Sequence, residues 1–431
     1  MNTKRQSVLI IGAGASGLMA AAMLAQKYDV TVLEARQRTG GRIFTIEDKF
    51  GFPAEAGAEF IHGEQPVTEK ILGESSTRRL PFEGRFYRKE GGHISRDVDM
   101  LDEYWDELVG ALNRLQEDQS IGGFIDTHFA GEKYRELRKS VKQFAEGYDA
   151  ADLTKVSAFA LREEWAHQDD DDQSRIRGGY QSLIRHLEQR LEAEGGEILL
   201  STEVSQISWS AASVRVTSTD GQTFTGEKIL ITVPLGVLQQ GRIAFSPELP
   251  DHRDAFSKLG FGGVIKFLFQ FEPAFWEKTI QKKFPGFGFI FSDAAIPTWW
   301  SQAPADSPLI TGWLGGPEAV SIQKDSNHLF DTAVESMCSL FDVSRETLTS
   351  AISTWHIADW VSDPFSCGAY AYATVGSKRE IDFLLNPVED TIYFAGEALY
   401  EGIAMGTVEA ALRSGQRAAN IITGQPESGS S

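Results

Sequence analysis

Three glycines, a serine and an acid near the N-terminus have the spacing of a phosphate cradle. Gly12-Ala13-Gly14-Ala15-Ser16-Gly17 fits G-x-G-x-x-G, and Glu34 follows about 20 residues later. Each residue type has a task there. Gly12 permits a tight turn, Gly14 lets backbone approach a pyrophosphate, and Gly17 lets a helix close on a strand. The anion then sits on the helix N-terminus, where free N–H groups and the dipole favour it. Glu34 can accept hydrogen bonds from a ribose diol, with Ala35 and Arg36 beside it. Together these residues point to a bound dinucleotide.

The elements that must hold this turn surround it. Residues 7–11 form a short apolar run, the pattern of a buried strand. Residues 15–27 carry Leu18, Ala22 and Ala25 at helical spacing, and 29–33 form a second strand that ends at Glu34. This is a βαβ unit. The same style returns later. Leu183, Leu187 and Leu191 mark a helix over 180–193. Strands are expected over 198–200, 204–209, 214–219, 228–233 and 391–395, and a long helix over 406–422. Two other stretches differ. Residues 80–175 are charged and helical in pattern, as over 101–117, and 240–365 are rich in Phe, Trp and Pro. The expected organisation is a cofactor domain from 1–79, 176–240 and 366–431, interleaved with a substrate domain from 80–175 and 241–365.

Composition narrows the partners. The chain has 431 residues, 42% hydrophobic, with net charge −20. That charge argues against nucleic acid and favours cationic ligands such as protonated amines, or simply serves solubility. Cys338 and Cys367 are too few for a disulfide framework, and no His/Cys spacing suggests a metal site. Reduced thiols fit a cytoplasmic protein. The first six residues are polar and 8–11 run into a glycine turn, so no signal peptide is expected. No apolar run approaches the ~18 residues of a membrane span. The acidic run 169–172 reads as a solvated loop, and the C-terminal residues as a polar tail.

Arg38-Thr39-Gly40-Gly41-Arg42 lies just past Glu34. It resembles the R-x-G-G-R motif of two-dinucleotide-domain flavoproteins, the group of amine oxidases, carotene desaturases and protoporphyrinogen oxidases. The resemblance implies FAD, with Gly40, Gly41 and Arg42 against its diphosphate. Four further segments resemble the flavin-containing amine oxidases, nearest to polyamine oxidases. The first, Gly57-Ala58-Glu59-Phe60-Ile61-His62-Gly63, is similar to the segment that passes the flavin ring and puts a histidine or acid into the substrate tunnel, here His62. In L-amino-acid oxidases a carboxylate-clamping arginine stands at the position of Phe60, which disfavours an amino-acid substrate. The second segment is 263–271. Ile265, Phe267, Phe269 and Phe271 share one face opposite Lys266, the pattern of a half-buried strand. In the family that lysine holds a water near flavin N5, so the resemblance implies a catalytic Lys266 facing a closed apolar pocket.

The third segment runs from Trp360 through Asp363-Pro364 to Gly368 and Tyr370. It is similar to the W-x-x-D-P-x-x-x-G-x-Y segment of polyamine oxidases and flavin histone demethylases, where Tyr370 stands before the flavin face. Monoamine oxidases link FAD through a cysteine at the position of Ala369. Cys367, two residues earlier, would share a strand face with it but sit ~7 Å away. Non-covalent FAD is therefore expected. The fourth segment includes Gly396-Glu397 and Gly406-Thr407-Val408, similar to the closing motif whose helix points at the flavin pyrimidine. A second cage tyrosine is replaced by Thr407, as in the demethylases. Val204 and Thr232-Val233-Pro234-Leu235-Gly236 match lesser cofactor contacts.

The fold class so implied is α/β: a two-dinucleotide-domain, FAD-binding Rossmann-like fold with an α+β substrate domain. The resemblance implies an FAD-dependent amine oxidase that converts a C–N bond to an imine with O2 as acceptor. H2O2 is released, and hydrolysis gives a carbonyl and an amine or ammonia. His62, Phe60, Thr407 and the net charge favour polyamines or secondary amines. The alternatives are a dehydrogenase or desaturase on the same fold, an L-amino-acid oxidase, and a non-catalytic FAD scaffold.

Overall fold

The computed structural model describes residues 5–97, 102–166 and 173–425. The acidic run 169–172 and nearly all of the polar tail lie outside the described residues. A five-stranded parallel sheet runs in the order Glu197–Leu199, Asp29–Leu33, Ser7–Ile11, Lys228–Ile231, Ile392–Phe394. Its strands come from three separated parts of the chain. Both faces are covered, so the strands are almost wholly apolar. On one face Leu18, Leu24, Leu183, Leu187, Leu191 and Leu412 join one core. On the other, Leu9, Ile11, Ile229 and Ile231 pack with Val204, Ile207 and Val216. The last three belong to a four-stranded sheet that includes Val204–Ser210 and Ser213–Ser218.

The helices that frame the glycine turn meet very closely. Ala15–Leu24 packs between Gln181–Ala193 and Val408–Thr423. A Cβ at Gly415 would lie 2.2 Å from the Ser16 carbonyl oxygen. The closing helix begins at Val408 rather than 406, because Thr407 is its N-cap and accepts from the Ala410 N–H. Gly406, at φ +82°, makes the bend before it.

The second large sheet has seven strands, in the order Ile352–Asp359, Val264–Phe271, Leu309–Gly315, Thr298–Ser301, Phe287–Ser292, Arg85–Glu90, His93–Arg96. All neighbours are antiparallel except Phe287–Ser292 with Arg85–Glu90. Here the expectation of a half-buried strand over 263–271 is corrected. Val264–Phe271 lies between two partners and is buried on both faces, so Lys266 is only 1% exposed. Ile265, Phe267 and Phe269 face a core that includes Met337 and Leu340 of the helix Ser326–Phe341. The helical region holds Trp105–Leu112, Ile121–His128, Arg135–Lys142 and Ala158–Trp165 around Trp105, Phe124 and Trp165. The helix expected over 101–117 is shorter and ends at Leu112. No helix among the described residues is long and apolar enough to cross a membrane.

The Gly415 contact generates a prediction. Gly415→Val forces apart the two helices behind the glycine turn, so stability falls by about 1–3 kcal/mol. Thermal unfolding measures this; an unchanged midpoint would contradict the packing described.

Candidate active site

A cavity of about 1250 Å3 opens at the carboxyl ends of the parallel strands and reaches the seven-stranded sheet. Gly12, Glu34, Thr232 and Gly396 follow four of those strands and line it. This is where ligands bind in open α/β sheets. The volume exceeds the ~300–1,000 Å3 of ordinary small-ligand pockets, leaving space for a large cofactor and a substrate together.

At the dinucleotide end, Gly12 turns the chain at φ +104°. A Cβ at Gly17 would lie 2.0 Å from the Gly12 carbonyl oxygen, so Gly17 closes helix on strand and does not line the cavity. Nothing comes nearer than 3.9 Å to a Cβ built on Gly14. The helix Ala15–Leu24 has no side-chain cap, and the Ser16 hydroxyl, 5% exposed, has no hydrogen-bond partner. Glu34 accepts from the Ala13 N–H at 2.8 Å and the Arg36 N–H at 2.9 Å. Arg36 forks onto Asp363 at 2.9 and 2.5 Å, so the Asp363-Pro364 segment braces this end of the cavity. Ala35, Gly40, Gly41 and Val204 also line it. An uncapped helix end, an orphan hydroxyl and a glycine approach beside a buried carboxylate suit a dinucleotide diphosphate and ribose.

Further along, Arg42 donates to Glu397 and to the Ala369 carbonyl, both at 2.6 Å. Glu397 also accepts from the Ala371 N–H. Trp360 is fixed by its indole N–H to the Ala56 carbonyl. Gly57, Ala58, Gly396, Gly406, Thr407 and Val408 line the same wall. Cys367 corrects the sequence reading. It lies in a turn at φ +55°, ahead of the strand Tyr370–Tyr372, and does not line the cavity.

Lys266 also differs from expectation. Its pocket is not purely apolar. Nζ donates to Glu59 Oε2 at 2.6 Å and to the Gly57 carbonyl at 3.1 Å, and lies 5.5 Å from the Trp300 ring centre. Glu59 lines the cavity, but its carboxylate is turned to protein partners. Oε1 takes Arg175 Nε at 2.9 Å and the Trp300 indole N–H at 3.0 Å. Burial alone would raise the Glu59 carboxyl, but Lys266 and Arg175 bring it below its ordinary value.

Tyr370 and His62 stand at this end of the cavity. The Tyr370 hydroxyl donates to the Tyr148 carbonyl, and its ring stacks on Trp313 with centres 6.4 Å apart. His62 is edge-on to Tyr148 at 5.4 Å and tilted to Phe60 at 6.0 Å. Phe86, Phe289 and Phe291 line the outer wall in a near-parallel stack. Sequence reasoning missed Arg175, Trp300, Trp313, Asp149 and Glu164. The Trp299-Trp300 pair was a visible signal; the others have none without their partners.

The family described as flavin containing amine oxidoreductase matches residues 15–423. The chain belongs to this family. FAD is accordingly the cofactor that the cavity takes. Human lysine-specific histone demethylase 2 is 28% identical over 97% of this chain and 53% of its own length. Polyamine oxidase 2 of Arabidopsis thaliana is 28% identical over 97% of this chain and 88% of its own. The chain thus spans about half the length of the human demethylase. Among solved structures, a putrescine oxidase bound to putrescine superposes with a TM-score of 0.79 at 20% identity, covering 98% of this chain and 99% of that one. Cyclohexylamine oxidase from Brevibacterium oxydans IH-35A gives 0.76 at 20%, covering 97% and 99%. These two share the fold.

The orphan hydroxyl gives this region its test. If the Ser16 hydroxyl donates to the FAD diphosphate, Ser16→Ala removes a hydrogen bond to a charged group and FAD affinity falls roughly tenfold. Equilibrium dialysis of FAD measures it; unaltered affinity would contradict a diphosphate at this helix end.

Proposed function

We propose that the protein is an FAD-dependent amine oxidase acting on a polyamine or a secondary amine. It oxidises a C–N bond to an imine with O2 as acceptor and releases H2O2. Hydrolysis of the imine then yields a carbonyl and an amine or ammonia. Residues 1–79, 176–240 and 366–431 form the FAD unit in this reading, and the remainder the substrate unit. FAD, when bound, accepts the hydride equivalent from the carbon next to nitrogen.

The observation that carries the substrate reading is a charge pattern. Two lysines are shared among four acids at the outer cavity and its rim: Lys139 pairs with Glu90 and Asp293, and Lys142 with Glu146 and Glu318. Asp149 and Glu164 also line the cavity, and among the described residues neither has a cationic partner. They interact with one another and with Tyr370, and Asp149 Oδ2 is buried with no hydrogen-bond donor. Burial pushes the Glu164 carboxyl up to about 7. Burial and the Glu164 charge raise Asp149 well above its ordinary value. Such a pair calls for a shared proton or a cation. A substrate ammonium distal to the oxidised carbon supplies the cation.

The other residues take roles consistent with this. Tyr370 and Trp313 provide aromatic faces for the amine and its methylenes. His62 binds a distal nitrogen or assists its deprotonation. Lys266 holds the water that meets O2 or the imine. Phe60 offers no clamp for a carboxylate. Arg175 stacks on it at 4.6 Å, but its donors are engaged by Glu59, Ser301 and Ala303, which disfavours an L-amino acid. Ala369 carries no nucleophile, so FAD is held without a covalent link.

A peroxide assay across spermidine, spermine, benzylamine and L-amino acids tests the reading. Spermidine or spermine is expected to turn over best; turnover of L-amino acids alone would contradict it. Asp149→Asn raises the spermidine KM about tenfold, the equivalent of ~1.4 kcal/mol of ammonium binding. Burial holds the Asp149–Glu164 pair protonated above the ordinary carboxylate range, so it gains negative charge only as pH rises beyond that range. Spermidine affinity therefore rises with pH as the pair ionises, and Glu164→Gln changes this rise. An identical profile in the variant would refute the assignment.

A further inference from the structure

We infer that Arg175 is a positioning residue for the flavin site. Through Glu59 it fixes Lys266 Nζ in the cavity wall and leaves that wall with one uncompensated positive charge. The inference rests on the family assignment and the FAD site, not on the identity of the amine.

The geometry is a closed chain of contacts. Glu59 Oε2 holds Lys266 Nζ, and Oε1 holds Arg175 Nε and the Trp300 indole N–H. Arg175 Nη2 reaches Glu59 Oε1 at 2.8 Å and the Ser301 carbonyl at 2.8 Å, and Nη1 donates to the Ala303 carbonyl. The ring of Phe60 covers the guanidinium. All three charged side chains are largely buried, at 1%, 3% and 11% exposure for Lys266, Glu59 and Arg175. Arg175 does not line the cavity, whereas Lys266, Glu59 and Trp300 do. It therefore acts from behind, through the carboxylate.

The charge balance gives this arrangement a consequence. A lysine and a glutamate alone would cancel. The second cation, Arg175, turns the unit into two positive charges and one negative. The buried Glu55 carboxyl, which also interacts with Lys266, is pushed up to about 7 by burial, so the excess holds below that value, where Glu55 is neutral. Away from water, one excess charge acts strongly across a short distance. Positive charge in the wall favours a cofactor that has gained electrons, so the unit raises the reduction potential of bound FAD. It also favours capture of anionic probes by the oxidised flavin. Lys266 on this account is an electrostatic and water-holding group, fixed in place by a fork that a lysine at position 175 could not reproduce.

Sulfite provides a readout separate from amine turnover, since its reaction with oxidised flavin bleaches the visible spectrum and is promoted by nearby positive charge. In Arg175→Met, sulfite affinity is expected to fall about tenfold or more and the FAD potential to drop. Wild-type values in a variant that retains FAD would overturn the inference. Lys266→Met tests the coupling. In that background, Arg175→Met should change water-dependent flavin reoxidation far less than in wild type, and fully additive effects would contradict action through Lys266. Should Arg175→Met lose FAD, Glu59→Gln carries the test with the opposite sign. It removes the one anion, so sulfite binding should tighten; weaker or unchanged binding overturns the charge argument. An amine that fails to turn over would leave these outcomes intact.

Discussion

Glu59 is a buried carboxylate on which separate parts of the chain converge. It lies in the segment between the strands Ala54–Glu55 and Ile61–His62. It reaches Lys266 in Val264–Phe271, Arg175 in Gln173–Ile176 and Trp300 in Thr298–Ser301. Burying these charges costs several kcal/mol each, and only good geometry with full hydrogen bonding offsets it. Removing one partner of such a pair typically costs ~3–5 kcal/mol. The passage of 57–60 along the cavity is therefore set by the seven-stranded sheet together with the strand Gln173–Ile176 of a separate three-stranded sheet. The same segment connects to the parallel sheet side, because Gly57 packs on the Arg42 backbone and Trp360 holds the Ala56 carbonyl.

A second consequence is a division of labour by charge. The dinucleotide end presents helix N–H groups, an orphan hydroxyl and the Arg42–Glu397 pair. The middle presents the Lys266 unit. The far side presents Asp149 and Glu164 with Tyr148 and Tyr370, and the outer wall is a stack of phenyl rings. In the proposed reading, anions of the cofactor and cations of the amine meet opposite fields in one cavity, an arrangement that would orient both before any chemistry begins.

The glycine turn was legible because its information is local. Gly12, Gly14, Gly17 and Glu34 sit within one βαβ unit, and their spacing fixes their geometry. The position of Lys266 was legible too, but its surroundings were not. Glu59 lies 207 residues away in sequence and is a remote partner that no periodicity discloses. Arg175 was invisible for the same reason. The strand 264–271 was misjudged as half-buried because alternation reports side-chain type, and a polar residue can be buried when a partner waits for it. Cys367 cannot extend the strand back from Tyr370, because its own φ of +55° puts it in the turn ahead of that strand. Asp149 and Glu164 sit among many acids in a charged helical stretch; a half-buried place in the cavity wall, with no cationic partner among the described residues, distinguishes them.

The most direct test of the account is to mix the FAD-loaded protein with spermidine in the absence of oxygen and follow the flavin spectrum. The account predicts rapid bleaching of the visible absorbance and its return when O2 is admitted, with peroxide formed. Failure of spermidine, spermine and simple secondary amines to bleach the flavin would contradict it.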